Sequence, residues 1–254
     1  MSELPGRRRA RIDLNADVGE GYADAEVMPF VTSANVACGA HAGDAATMRA
    51  TVLLARAHGV AVGAHPGFPD RAGFGRTITT RSPEEIERLV VEQVERLAAI
   101  AARQGVTLAH VKPHGALYNL AAVDDEVADA VARATARVLP GTRLFGLAGS
   151  RGLERARAAG LVAVAEAFAD RAYLEDGTLA PRTLPGAVIE DPRRTAERAV
   201  RLACEGRIET LDGDELALEA DTLCLHGDTP GAGATARAVH AALRDAGVQL
   251  VAPE

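Results

Sequence analysis

Four of the seven histidines in the sequence stand beside a glycine at the end of an apolar run: His41 in GAHAGD, His65 in GAHPGFPD, His114 in VKPHG and His226 in LHGD. Imidazole carries protons or binds metals near neutral pH, and a neighbouring glycine lets the backbone approach a ligand closely. His41 and His65 repeat nearly the same phrase 24 residues apart. Carboxylates occur at the same places: Asp17 after the first run, Asp44 after His41, Asp70 after His65, Glu166 and Asp170 together, and Asp228 after His226. Asp17 with His41 and His65 forms either an acid–base set or a ligand set for zinc, manganese or iron, although no helical H-x-x-x-H pair adds to the metal reading. Lys112 lies in the apolar run LAHVKPH, where a free ammonium is costly to bury. It is therefore expected to meet an anionic ligand or a carboxylate such as Asp17 or Asp170.

Weaker candidates surround these. Asn15, Asn35, Tyr22, Tyr118 and Asn119 fall near the same run ends and offer hydrogen bonds to a small polar substrate. The stretch HGDTPGAGATA, from His226 through Gly227, Asp228, Thr229 and Gly231, is a glycine-rich entry into a helix, where free N–H groups favour an anion. It lacks the G-x-x-x-x-G-K-[ST] pattern of a phosphate-binding loop, so a tight strand-to-helix turn explains it equally well.

The elements that must position these residues alternate along the chain. Seven runs are predicted strands: 11–17, 33–38, 59–65, 108–114, 143–149, 161–170 and 221–228. Between them lie helices with recognisable punctuation. Ser82, Pro83 and Glu85 form a capping box ahead of a periodic stretch that stops at Gly105. Asp191 before Pro192 and Thr229 before Pro230 mark two more helix starts, and Asp44 and Ser150 are further expected caps. Apolar strands separated by helices imply a parallel sheet covered by helices, and seven such units favour closure into a barrel. In such barrels the site lies at the carboxyl ends of the strands, where the polar residues fall. The segment 173–190 breaks the rhythm: its Asp176-Gly177 pair predicts a hairpin excursion, either a cover for the barrel mouth or a plain surface hairpin. The domain reading is an N-terminal tail over 1–10 and one barrel domain over 11–254.

Composition excludes several classes. The formal charge of -7 argues against a nucleic-acid partner. GRRRAR, near the N-terminus, is followed by no apolar segment and reads as a solvated tail rather than a signal peptide. No apolar run approaches the roughly 20 residues of a membrane span. Cys38, Cys204 and Cys224 follow no disulfide or zinc spacing, which fits a reducing cytoplasm.

Taken together, DLNADVGEGY (13–22), SANVACGAHAGD (33–44), GAHPGFPDRAGFGR (63–76), VKPHGALYN (111–119), EAFADRAYLEDGTLAPR (166–182), PGAVIED (185–191) and LHGDTPGA (225–232) resemble the family of 5-oxoprolinase A subunits, also called LamB/YcsF. The resemblance implies a seven-stranded β/α barrel similar to the glycoside hydrolase/deacetylase group. It implies one component of an enzyme that opens 5-oxo-L-proline to L-glutamate with hydrolysis of ATP, helped by Mg2+ and by partner subunits B and C. On this reading Asp17, His41, His65, Lys112 and His114 are the catalytic set. Asn15, Asn35, Asp170, His226, Gly227, Asp228, Thr229 and Gly231 bind substrate or nucleotide. Lys112 and the Gly227–Gly233 turn would then serve phosphates, while Asp17, His41 or His65 would act as acid or base or hold a metal. A homo-oligomer is compatible with this reading. A metal-dependent, deacetylase-like hydrolase and a non-catalytic lactam-binding protein remain the two alternatives.

Overall fold

A computed structural model of the chain describes residues 11–228 and 231–254. The expected tail over 1–10 lies outside the described residues, as do the expected helix start at Thr229-Pro230 and the binding role given to Thr229. Ten strands and eight helices follow in order: β1 (Arg11–Val18), α1 (Asp24–Val27), β2 (Ser33–Ala37), α2 (Ala45–His58), β3 (Ala61–His65), α3 (Pro83–Ala102), β4 (His110–Val111), α4 (Gly115–Val123), α5 (Asp125–Val138), β5 (Arg143–Leu147), α6 (Arg151–Ala158), β6 (Val162–Phe168), α7 (Pro192–Glu205), β7 (Arg207–Glu209), β8 (Glu215–Ala217), β9 (Thr222–Leu225), α8 (Ala232–Asp245) and β10 (Gln249–Leu250).

Seven parallel strands close into a barrel in the order β1-β2-β3-β4-β5-β6-β9, with β9 returning to β1. These are the seven runs read from the sequence. The closing register pairs Asp13 to Ala16 of β1 with Thr222 to Leu225 of β9. β10 adds in parallel to the first two residues of β1. β4 is much shorter than the expected 108–114, because Pro113 has no N–H for a ladder; Lys112 N–H still donates to the carbonyl of Ala64 at 2.9 Å.

The helices begin where their caps predict. Ser82 and Glu85 form the reciprocal capping box of α3, Asp44 accepts from Thr47 N–H at the start of α2, and Asp191 accepts from Arg193 N–H at the start of α7. Ser150 does not cap α6: its Oγ is buried without a partner beside Gly146 and Gly152. α8 starts after Gly231, whose φ of 78° is the left-handed region that glycine favours. Two features were not anticipated, the antiparallel β7–β8 hairpin and β10.

The barrel strands alternate. Ile12, Leu14, Ala16 and Val18 of β1 belong to the apolar core, while Asp13, Asn15 and Asp17 join polar residues of β2, β4, β6 and β9 across the barrel. The strands are buried on both faces as expected, yet the inner face is polar. This follows from the period of two in a strand and from closure of the sheet, which buries its inner face.

The segment after β6 is an excursion held by two arginines. Bridges pair Arg171 with Val188 and Tyr173 with Leu179, and Gly177 N–H closes the Asp176-Gly177 turn onto Leu174 O. Arg171 donates to the carbonyls of Ala180 and Ala187. Arg198, from α7, donates to the carbonyls of Ala169, Arg171 and Glu209, tying the base of the excursion to β7. Among the described residues, no helix is long and apolar enough to cross a membrane.

Candidate active site

The interior of the barrel is one hydrogen-bonded network that ends at Lys112. Thr222, Thr32 and Ser33 donate to Asp13. Asn15 Nδ2 donates to Thr222 Oγ1 and to Glu166 Oε1, and Asn35 Nδ2 donates to Asn15 Oδ1 and to Asp17 Oδ1 at 2.7 and 2.8 Å. His110 Nε2 donates to Asn35 Oδ1 at 2.7 Å. Lys112 Nζ lies 2.9 Å from each of Asp17 Oδ1, Glu166 Oε1 and Cys224 Sγ. Asn15 and Asn35 are therefore fully buried and orient the catalytic candidates; the cleft walls do not include them. The sequence offered Asp17 or Asp170 as the partner of Lys112. The structure selects Asp17 and adds Glu166.

Burial works against the charge of Lys112, but Asp17, Cys224 and Glu166 together hold its pKa well above the ordinary lysine value. Burial likewise opposes the charge of Asp17, and the Lys112 ammonium in contact with it helps to overcome this, holding the carboxylate well below its usual range. Asp17 and Lys112 thus form a charged pair at the base of the cleft. An ion pair so enclosed is a costly arrangement whose members depend on each other.

The cleft opens at the carboxyl ends of the strands, with a volume of about 660 Å3, within the range of small-molecule sites. Asp17, His65, Lys112, His114 and His226 form its floor, and Arg76, Arg171 and Arg182 its rim. Tyr118 and Asn119 line the wall as expected, whereas Tyr22 is half-exposed and packs edge-on against Phe74. The excursion expected as a possible cover contributes Thr178, Leu179, Arg171 and Arg182 to the wall. Arg76 and Arg182 share one carboxylate, Asp228, at 2.6 and 3.8 Å. Arg171 donates to neutral carbonyls. Burial and then the neighbouring Arg182 lower its pKa to about 10, so the rim is short of negative charge. These arginines lie within GAHPGFPDRAGFGR and EAFADRAYLEDGTLAPR but were not among the expected site residues, and only the fold brings them together.

His226 takes a more specific place than its motif implied. Its Nδ1 lies 2.8 Å from Asp170 Oδ2, which also accepts from the His226 backbone N–H. Asp170 is an acceptor only, so it fixes the ring with hydrogen on Nδ1 and leaves Nε2 as the basic nitrogen. Ligand atoms of His226, Asp17 and Cys224 lie within 4.8 Å of one another. Asp170 and Asp228, expected among the substrate- or nucleotide-binding residues, pair in this structure with His226 and with Arg76 and Arg182, and neither lines the cleft.

The glycine-rich turn after β9 does not line the cleft among its described residues. A Cβ on Gly227 would meet the Asp17 carbonyl, and Gly233 packs against Glu26 of α1. The first turn of α8 therefore faces an acidic side chain already in place. The expected phosphate role of Gly227 and Gly231 finds no support in this geometry.

His41, His65 and His114 assemble around Glu20, which was not among the residues expected from the sequence. His41 stacks on His114 with ring centroids 3.8 Å apart, and its Nε2 lies 3.1 Å from Glu20 Oε1. Glu20 Oε1 is 3.4 Å from His114 Nδ1 and 3.8 Å from His65 Nε2. Burial holds His41 down at about 3 and, with Asp17 and Asp228, pushes Glu20 well above the usual carboxylate value. The candidate metal set Asp17, His41 and His65 is thus revised. Asp17 Oδ1 is engaged by Lys112 and Asn35, while the two histidines group with Glu20 and His114. Asp17, Cys224 and His226 also converge, but the Lys112 ammonium already lies against Asp17 and Cys224 there. Of these two groups, the one around Glu20 fits a divalent ion. Glu20 follows Asp17 by three residues in DLNADVGEGY, and that proximity to a candidate acid was the one sequence signal that could have found it.

A closed seven-stranded parallel barrel with ionisable residues gathered at the carboxyl ends of its strands defines a β/α barrel of the polysaccharide deacetylase and glycoside hydrolase type. A polysaccharide deacetylase from Bacillus cereus superposes with a TM-score of 0.51 over 97% of this chain and 93% of its own, at 12% identity, a likeness of fold alone. The lactam utilization protein from Thermus thermophilus superposes with a TM-score of 0.90 at 51% identity, covering 96% of this chain and all of that one. The 5-oxoprolinase A subunit of Heliobacterium modesticaldum is 52% identical over 248 residues, 95% of this chain and 98% of that protein. The LamB/YcsF family model matches residues 12–254, and the chain belongs to that family.

Proposed function

We propose that this chain is the A subunit of an ATP-dependent 5-oxoprolinase, opening 5-oxo-L-proline to L-glutamate with hydrolysis of ATP to ADP and phosphate, in a complex with subunits B and C. Relatives carrying that name at about half identity support the reading. One observation of the site carries it: a cleft rimmed by Arg76, Arg171 and Arg182, of which Arg76 and Arg182 share the one carboxylate of Asp228, above a floor where Lys112 is paired with Asp17 and Glu166; the rim suits an anionic substrate.

A five-membered lactam is unstrained and its carbonyl is a poor electrophile. Phosphoryl transfer from ATP to the lactam oxygen makes that carbon reactive, and the catalytic demand is then for positioning and for positive charge at the phosphoryl group. Arg76 at the rim supplies that charge, while Lys112, held by Asp17, Glu166 and Cys224, fixes the Asp17 carboxylate at the floor. Arg171 and Arg182 hold the carboxylate of 5-oxoproline at the rim. His226 Nε2, oriented by Asp170, takes a proton from the water that adds to the activated carbon. The ring C–N bond then breaks with protonation of the nitrogen, and a second water releases phosphate, so one ATP and two waters give glutamate, ADP and phosphate. Magnesium would enter as part of the nucleotide, with Asp17 as a carboxylate of the floor that could hold it. A divalent ion at Glu20, His65 and His114 would polarise an oxygen of the bound substrate.

The test is release of ADP and glutamate from 5-oxoproline and MgATP, by this chain alone and with subunits B and C. Coupled turnover in the mixture is expected, with kcat lowered by His226→Gln by about 100-fold or more. Absence of turnover with both partners folded and bound overturns the reading.

A further inference from the structure

The hydrogen positions on His65 and His114 are fixed by their backbone partners. His65 Nδ1 lies 2.8 Å from the carbonyl oxygen of Lys112, and His114 Nε2 lies 2.8 Å from that of Phe74. A carbonyl can only accept, so each of these nitrogens carries the hydrogen. The remaining nitrogens, His65 Nε2 and His114 Nδ1, then carry lone pairs, and they face each other at 2.9 Å. With neither of these nitrogens protonated, the two lone pairs repel at that distance. Something positive belongs between them.

The same place collects carboxylate oxygens. Glu20 Oε1 lies 3.4 Å from His114 Nδ1 and 3.8 Å from His65 Nε2, and Asp17 Oδ2 lies 3.4 Å from His65 Nε2. His41 aims its Nε2 at Glu20 Oε1, while its Nδ1 is buried without a partner; the hydrogen therefore sits on Nε2 and holds the carboxylate in position. A shared proton would satisfy the two nitrogens alone and leave Glu20 Oε1 beyond hydrogen-bond contact with one of them. A metal ion uses all three atoms. Two nitrogens bound at about 2.1 Å to one ion sit about 2.9 to 3.4 Å apart, the spacing seen here. Ligand histidines also characteristically donate their other N–H to a carbonyl or carboxylate, as both rings do.

We propose that His65, His114 and Glu20 form a binding site for one divalent transition-metal ion, with His41 positioning the carboxylate. Two imidazoles and one carboxylate match zinc, manganese, iron or cobalt rather than magnesium or calcium. His65 and His114 both line the cleft, so the ion faces the substrate space. Gly67 and Gly75 make room for the assembly: a Cβ at Gly75 would crowd His41 Cβ and His114 Cδ2, and one at Gly67 would crowd His41 Nδ1. At Gly67, two residues after His65, glycine thus admits an imidazole ring where the sequence suggested a ligand, and Gly75, which flanks none of these histidines in the chain, does the same.

The site is tested on the purified full chain, stripped with 1,10-phenanthroline, by calorimetric titration with Zn2+ and by the visible absorption of added Co2+. One equivalent per chain is expected, with a rise in Tm on adding Zn2+. The variants His65→Ala, His114→Ala and Glu20→Gln are each expected to weaken binding, the histidine changes by about 100-fold or more. Glu20→Gln preserves size and so guards against simple unfolding. No stoichiometric ion on the folded wild type at millimolar metal, or equal affinity in wild type and His65→Ala, overturns the inference. Phenanthroline spares magnesium, so assaying the assembled complex in its presence separates the two proposals. Coupled turnover by a chain that binds no ion leaves the oxoprolinase reading standing without this site. A bound ion in a complex that cannot open 5-oxoproline does the reverse.

Discussion

Among single residues, charges inside this barrel stand or fall together. Lys112 is enclosed by Asp17 and Glu166, and removing it leaves two carboxylates buried without a counter-charge. Lys112→Met is expected to destabilise the fold by about 3–5 kcal/mol in chemical denaturation. The double variant Lys112→Met/Glu166→Gln should lose less than the sum of the single changes, because the second change removes part of the uncompensated charge. Strict additivity would show that the pair does not interact energetically. Gly63 shows the same interdependence through space. A Cβ there would overlap the His110 imidazole, so Gly63→Ala must displace a ring that supports Asn35 and, through it, Asp17. A loss of about 1–3 kcal/mol is expected from overpacking alone, read as a lower denaturation midpoint at unchanged m-value.

Among the elements, the barrel supplies a rigid floor and the excursion after β6 supplies the rim. Arg182 is carried by that excursion and is partly exposed, so its loss leaves the floor intact. If it holds the substrate carboxylate, Arg182→Ala in the assembled enzyme raises KM for 5-oxoproline by about tenfold with little change in kcat. The KM for 2-pyrrolidinone, the same lactam without a carboxylate, should not move. A rise confined to KM for ATP would instead place Arg182 on the nucleotide. The excursion was legible from Asp176-Gly177 as a hairpin turn, because a turn is a local event. Its place against the cleft was one of two readings left open, since that depends on Arg198 of α7 binding carbonyls at its base.

Across the molecule as a whole, a polar interior couples stability to pH. Burial, then the neighbouring Lys112 ammonium, push His110 from its ordinary 6.5 down to about 3. The unfolded imidazole takes up a proton near 6.5 and the folded one resists until about 3, so the unfolded state binds more protons in that window and stability falls as pH drops through it. One such group loses about 2 kcal/mol of stability between about pH 7 and pH 5. Asp13, raised to about 6 by burial, acts in the opposite sense over part of that range. The informative quantity is therefore the difference from His110→Gln, which can still donate to Asn35. That variant's stability should depend on pH less steeply by about 2 kcal/mol over the same interval. Equal slopes would mean that His110 titrates normally in the folded chain.

Periodicity, capping and run length act over a few residues, and they suffice to specify the seven strands, their parallel direction and the end of the barrel at which chemistry gathers. The same local reading marks Asp17, His65, Lys112, His114 and His226, since charged or basic groups at the ends of apolar runs have few other uses. The partners of these residues are not local. Glu20 became the hub of three histidines, Glu166 became the second counter-charge of Lys112, and Asp170 became the anchor of His226. Folding also turned Asn15 and Asn35 inward and directed the first turn of α8 toward Glu26 and away from the cleft. Those outcomes depend on barrel closure, which joins β1 to β9 across more than 200 residues of chain. Residue type announces that a charge must be answered. Which residue answers it is set by distances that exist only once the barrel has closed.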